Sequence, residues 1–393
     1  MITRKSLRNL LIYLSLTLLG LYMAAFQRSL DDIGRYFEFM GAFTGLLVTS
    51  HFAGIFIMPL ISGELADKYG RRVIICTGFA LLLGGLALSI VSNHIFLYIL
   101  AIFFIGGGFG IVEGIMTTVL VDLNKERGRA VINISQVFFC IGALAGPLIT
   151  SLFISIGYTW RSIYGIFAVV SLFYMIYFLR LPMVNVKATV EKIKGTIVLH
   201  LLKKPILIML SISILMYVGV EQGAAFWIGR YTGTMTDSTL MPSIILSAFW
   251  GFMILGRILF GVLLGKGDII KTIIWLTAFS CLALGVVIAA DNYIISWIGF
   301  ALLGLSMSAI WPLIVVLANR FFGEFRATAF GIMMACSALG GMIIPFIAGV
   351  IGETLNFKLG MGFFIIPLLA IIACQVMVRR RTILQVKRDV EIN

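Results

Sequence analysis

From Val73 to Val112 the chain runs forty residues without an aspartate, glutamate, lysine or arginine, and then places Glu113. About 20 apolar residues suffice to cross a bilayer as a helix. A soluble domain has no way to hide runs of this length. The same bias holds throughout, with 61% hydrophobic against 12% charged residues over 393 positions and a mean hydropathy of +1.08. The chain therefore reads as an integral membrane protein. Its apolar segments are continuous and lack ten-residue alternation, which indicates helices rather than a β-barrel.

Counting by bilayer length gives twelve spans. The first half holds 9–30, 41–63, 73–92, 95–123, 130–155 and 161–180. The second holds 205–230, 241–265, 269–290, 293–319, 327–351 and 360–378. The expected architecture is all-α, with twelve transmembrane helices in two pseudo-symmetric six-helix bundles. Residues 1–180 form the N-terminal bundle, 181–204 a polar cytoplasmic linker, and 205–393 the C-terminal bundle with a basic tail. A surface helix is expected at 190–202 in the linker. Arg4, Lys5 and Arg8 lead straight into a spanning run without a small-residue cleavage site, so no cleavable signal peptide is expected.

The net charge is +13, and its placement argues against nucleic acid. Of 30 Lys and Arg residues, all but Arg28, Arg35, Arg161, Arg230 and Lys358 fall at the termini or in alternate connections, counting Arg257 near the inner end of span 8. That is the positive-inside pattern, which puts both termini in the cytoplasm of a multi-pass inner (plasma) membrane protein. Cys76, Cys140, Cys281, Cys336 and Cys374 lie in or beside apolar segments without metal-ligand spacing. Neither a metal nor a cofactor is expected. No nucleophile–base constellation suggests an enzyme.

The halves repeat weakly. Gly20 before Ala24-Ala25-Phe26 has a counterpart in Gly219 before Ala224-Ala225-Phe226, and Arg129-Ala130 leading to Pro147 parallels Arg326-Ala327 leading to Pro345. Internal symmetry of this kind puts a solute site at the midplane, between the halves.

The connection after span 2 reads Gly63-Glu64-Leu65-Ala66-Asp67-Lys68-Tyr69-Gly70-Arg71-Arg72. Its glycines permit a tight reversal, and Asp122 is a candidate partner for Arg71 or Arg72. This run resembles the signature loop of the major facilitator superfamily, and length, layout and linker extend the likeness to the whole chain. The resemblance implies a cytoplasmic gate involving Gly63, Asp67, Gly70, Arg71 and Asp122. The copy in the second half is degenerate, keeping Gly256-Arg257 and Gly261.

Within that superfamily, three helices resemble the fucose:proton symporter branch. Span 4 offers Gly108-x-Gly110-x-x-Glu113-x-x-x-Thr117, span 5 Asn133-x-x-Gln136-x-Phe138-x-x-x-Gly142, and span 7 Tyr217-x-Gly219-x-Glu221 with Trp227 and Tyr231. Two departures stand out: Gln27 occupies the place of an aspartate on span 1, and Thr117 that of an asparagine. The likeness implies uptake of a sugar or similar small polar solute, coupled to protons or alternatively to sodium, in a monomer.

An acid deep in a bilayer costs several kcal/mol and must be protonated, paired or hydrated. Glu113 precedes Asp122 by nine residues and Glu221 precedes Arg230 by nine, which buries each roughly 13 Å from a span end at the helical rise. They form a candidate proton-coupling pair; the plain alternative is acids neutralised for good by neighbours. Sugar hydroxyls and C–H faces call for amides, carboxylates and aromatic platforms. The candidates are Gln27, Asn133, Gln136, Gln222 and Asn319, with Tyr22, Tyr217, Trp227, Trp250 and Trp311. His51 reads as a packed core histidine, and Arg28 and Arg230 as snorkelling residues.

The alternative function is proton-driven export of drugs or amphipathic compounds. Gly142-x-x-x-Gly146-Pro147 matches a fragment of that pattern, but no basic residue occurs in span 4.

Overall fold

The computed structural model describes residues 4–38, 44–124, 128–180, 195–263, 267–289 and 292–392. Side chains at 4–6, 63–68, 128–129, 195–196, 261–263, 324, 326–327 and 384–392 lie outside that description. So do the linker residues 181–194 and the side chain of Asp67.

The first half contributes α1 (Arg4–Tyr36), α2 (Thr44–Tyr69), α3 (Arg71–Val91), α4 (Ile95–Leu123), α5 (Gly128–Ser155) and α6 (Trp160–Arg180). A short helix, α7 (Gly195–Leu202), precedes the second half and falls within the expected surface helix. There follow α8 (Pro205–Gly233), α9 (Met241–Leu263), α10 (Ile269–Ala289), α11 (Tyr293–Met307), α12 (Ile310–Phe322), α13 (Arg326–Thr354), α14 (Phe357–Phe363) and α15 (Ile365–Ile392). Twelve stretches among these are long and apolar enough to cross a membrane.

Three spans differ from the sequence-based expectation. α1 continues past residue 30 because Asp32 pairs with both Arg28 and Arg35, one turn away on either side. Span 10 is broken between α11 and α12, where Pro312 can neither donate to the preceding turn nor clear its carbonyl. Span 12 breaks at Phe364, three residues before Pro367, for the same reason.

The packing is duplicated. α1 lies on α5 as α8 lies on α13, and α2 on α4 as α9 on α11; α3 touches α4 and α6 as α10 touches α11 and α15. Glycines set the separations, and they recur 198 residues apart. A β-carbon on Gly142 would fall 2.0 Å from the carbonyl oxygen of Thr17, and one on Gly340 2.0 Å from that of Leu215. Gly106 meets His51 at 2.0 Å, and Gly304 meets Phe249 at 2.2 Å. Only hydrogen fits at such approaches, and small residues of this sort let membrane helices pack by direct contact. The halves meet mainly through α2 against α13 and α5 against α9.

The reversal after α2 differs from expectation. Gly63 lies within the helix, and the turn rests on Gly70 alone, whose φ of 87° suits glycine.

Gly340→Val will force α8 and α13 apart. Overpacking costs about 1–3 kcal/mol, so the melting temperature of the detergent-purified variant is expected to fall. Gly331→Ala, with nothing within 4 Å of the added carbon, is expected to leave it unchanged.

Candidate functional site

Between the halves lies a cavity of about 110 Å³, room for several water molecules. Its polar lining comes from Glu113 on α4, Gln136 on α5, Glu221 and Gln222 on α8, Arg257 on α9 and Ser337 on α13. Trp250 and Trp311 supply aromatic faces. The break in span 10 brings Trp311 here, four residues past the end of α11 and onto the second residue of α12. Interrupted helices are a recurrent way of building solute sites at membrane depth.

Hydrogen bonds link the cavity groups in series. The Tyr217 hydroxyl donates to Glu221 Oε1 at 2.8 Å, and Gln222 Nε2 to Glu221 Oε2 at 3.4 Å. Gln27 Nε2 donates across the halves to Gln222 Oε1 at 3.2 Å, and Trp250 Nε1 donates to Gln27 Oε1 at 3.3 Å. On the other side Arg257 Nη1 donates to Gln136 Oε1 at 3.2 Å, while its Nη2 stands 3.9 Å from Glu221 Oε1. Glu113 faces Gln136, with Glu221 and Arg257 near enough to interact by charge.

Two of the expected substrate ligands serve other groups. Trp227 is 2% exposed, gives its N–H to the Pro345 carbonyl and packs on Gly349 and Phe357, away from the cavity. Tyr217 is fully buried and acts through Glu221. Asn133 is exposed and Asn319 half-buried; both sit toward the end of the bundle that carries the termini, off the cavity lining. Tyr22 packs with Phe26, His51, Tyr164 and Phe167 inside the first half. His51 is likewise enclosed by aromatic rings, without a protein partner for either ring nitrogen.

Arg257 is the residue that the sequence reading missed. It was counted with the basic residues at a span end, yet its side chain is only 11% exposed and lies against Glu221. Its position two turns beyond Trp250, on the cavity face of α9, was the available clue.

Away from the termini the cavity is capped by contacts across the halves. Arg230 on α8 pairs with Asp31 on α1 and with Glu353 on α13, and Glu353 also accepts from Thr44 on α2 at 3.1 Å. Arg28 donates to Ser151 and Ser243, which bond each other at 2.6 Å. These arginines bridge the two halves rather than snorkel. Above the cap lies a second, polar hollow of about 240 Å³ that includes Gln27, Arg28, Asp31, Arg35 and Arg230. At the opposite end Arg71 pairs with Asp122, as the sequence suggested for this connection.

Two duplicated helical halves around a polar cavity are the build of a membrane transporter. The sequence matches the profile of the Major Facilitator Superfamily over residues 9–300, and the chain belongs to that family. It is thus a multi-pass membrane transporter and not an enzyme. Among curated relatives it is 27% identical to the glucose/mannose transporter GlcP of Bacillus subtilis, over 91% of this chain and 88% of that one. Its fold resembles the nucleoside transporter NupG, with a TM-score of 0.76 at 16% identity and coverage of 92% and 99%. It also resembles the E. coli fucose:proton symporter FucP, at 0.66, 17%, 93% and 98%.

Arg230→Gln removes both ion pairs of the cap and leaves Asp31 and Glu353 without their cation. In a cysteine-depleted background, a cysteine at Ser151 is expected to react with a polar maleimide several-fold faster once Arg230 is replaced. An unchanged rate would mean that these pairs do not hold the cap shut.

Proposed function

We propose that the protein is a secondary transporter that takes up a neutral sugar, or a similar small polar solute, together with protons by alternating access. The observation that carries this reading is the meeting of Glu113, Glu221, Gln136, Gln222, Trp250 and Trp311 around one cavity between the halves. Amides and carboxylates match the hydroxyl edge of a sugar, and indole faces match its C–H surface. A site for a purely lipophilic cargo has no use for two carboxylates and two amides. GlcP, a glucose/mannose transporter, and FucP, a fucose:proton symporter, support this substrate class, and FucP the coupling ion.

In this reading both termini are cytoplasmic, the membrane is the plasma membrane, and the capped end faces outward. The state described is then closed to the outside, with the cavity on the cytoplasmic side of the cap. The Arg71–Asp122 pair belongs to the cytoplasmic gate, whose other members are Gly63, Asp67 and Gly70. Glu113 carries the proton: it lies in the cavity, and the cation beside the two acids is Arg257. Sodium is the alternative coupling ion. The chain works as a monomer, with cavity contributions from both of its own halves.

Export of amphipathic compounds receives less support. Gly142 and Gly146, which prompted it, are accounted for by the close packing of α5 on α1 at Thr17 and Leu21.

Proteoliposomes with an imposed pH gradient and labelled glucose, mannose or fucose test the proposal. Wild type is expected to accumulate at least one of them. Losing one charge-assisted interaction is worth about tenfold or more, so Glu113→Gln should cut gradient-driven accumulation by that order while sugar counterflow persists. Flux of none of these sugars, or full accumulation by Glu113→Gln, would overturn it.

A further inference from the structure

The hydrogen-bond series through the cavity has a fixed direction, and both ends fix it. An ionised carboxylate only accepts, so Gln222 must turn its NH2 toward Glu221 and its carbonyl toward Gln27. Gln27 then gives its NH2 to Gln222 and keeps its carbonyl for the indole N–H of Trp250, which only donates. Gln27 and Gln222 come from different halves, and each lines a different hollow: Gln27 the outer one and Gln222 the cavity. The partition between the two compartments is therefore this pair of amides, oriented by the charge on Glu221.

Arg257 stands at the other side of the same charge. Its forked head reaches two ways, with Nη1 on Gln136, which faces Glu113, and Nη2 at 3.9 Å from Glu221. At that distance the second approach is a charge contact without a hydrogen bond, and the hydrogen bond to Glu221 Oε1 comes from Tyr217 at 2.8 Å. Arg257 Nε is buried without any partner. The guanidinium is thus suspended between two acids and saturated by neither. Its facing groups are Glu113 from α4, Gln136 and Cys140 from α5, Tyr217 and Glu221 from α8, and Met253 from its own helix.

Charge balance makes the position consequential. Two carboxylates and one guanidinium are neutral together only when one acid holds a proton, and uncompensated charge is costly at this depth. We infer that Arg257 is a positioning residue that alternates between the two acids. It attends Glu221 while Glu113 is protonated, and shifts along Gln136 toward Glu113 once that proton leaves. The shift withdraws the cation from Glu221, the acceptor that orients Gln222 and Gln27, and so ties proton release to the partition between the halves. One proton per cycle balances the site.

The inference rests on the proton-coupled reading above, and its test separates the two by including a readout that needs no sugar. Trp250 and Trp311 both line the cavity, so intrinsic fluorescence of the purified protein, titrated between about pH 5 and 9 where a buried acid releases its proton, reports on the network. Wild type is expected to show a pH-dependent change that Glu113→Gln abolishes. Arg257→Gln should abolish it as well, and Arg257→Lys, which keeps the charge, should restore part of it. With labelled glucose in proteoliposomes, Arg257→Gln should lose gradient-driven accumulation by about tenfold, as for a lost charge-assisted contact. The double variant Arg257→Gln/Glu221→Gln, which leaves Glu113 as the one acid of the cavity and the site neutral while it holds its proton, should recover counterflow but not accumulation. An unaltered fluorescence titration in Arg257→Gln, or no titration in wild type, overturns the role of Arg257 whatever sugar is carried. So does accumulation by Arg257→Gln at the wild-type level. Absence of sugar flux in a wild type that titrates as described sinks the sugar assignment alone.

Discussion

A charged group in the middle of an apolar bundle has to be neutralised where it stands. Glu221 has Tyr217, Gln222 and Arg257 around it, while Arg257 in turn leans on Gln136. Breaking up a buried arrangement of this kind typically costs 3–5 kcal/mol, because the orphaned charge stays behind. Helices α4, α5, α8 and α9 are therefore held in register by electrostatics at the cavity as much as by packing around it. Stability and the proposed function draw on the same groups.

The packing that frames the cavity is of a different nature. Lipid tails are as apolar as leucine side chains, so helices in a bilayer gain little by hiding from solvent and must gain by close contact. The recurrence of Gly142 on Thr17 as Gly340 on Leu215, and of Gly106 on His51 as Gly304 on Phe249, shows the same solution used in each half. Rigid halves of this kind can rock as units. In the proposed alternating-access cycle, what changes is then confined to the contacts that cross between them, such as Arg230 with Asp31, Ser151 with Ser243 and Gln27 with Gln222.

The spans were legible because bilayer thickness imposes a length on them, and a lone acid in an uncharged run is conspicuous. Glu113 and Glu221 stood out by that logic, whereas Gln136 came from the symporter-like pattern and Asp122 from its place opposite the basic loop after span 2. Arg257 did not stand out, because a basic residue a few positions from a span end satisfies the topology rule wherever its side chain points. The breaks at Pro312 and Phe364 were missed for a related reason: hydropathy does not register a lost backbone hydrogen bond. Trp227 looked like a sugar platform, yet its N–H needed an acceptor, and the carbonyl of Pro345 provides one inside the second half. Neighbours across the fold decide such cases, and one sequence does not display them.

Gln27 brings these strands together. The symporter-like pattern has an aspartate at its place, and by sequence alone the amide looked like the loss of a coupling acid. In the folded chain it faces Gln222 across the halves and Trp250 on α9. A carboxylate there could accept from both but would add an unpaired negative charge to a site that already holds two acids and one cation. It would need a second proton each time the partition closed. An amide accepts from the indole and donates to Gln222 without any proton, so on the proposed one-proton cycle the partition can close while the site stays balanced by the proton on Glu113. On the proposed cycle position 27 serves for sealing rather than coupling, and Arg257 is the only cation between the two acids among the described cavity residues.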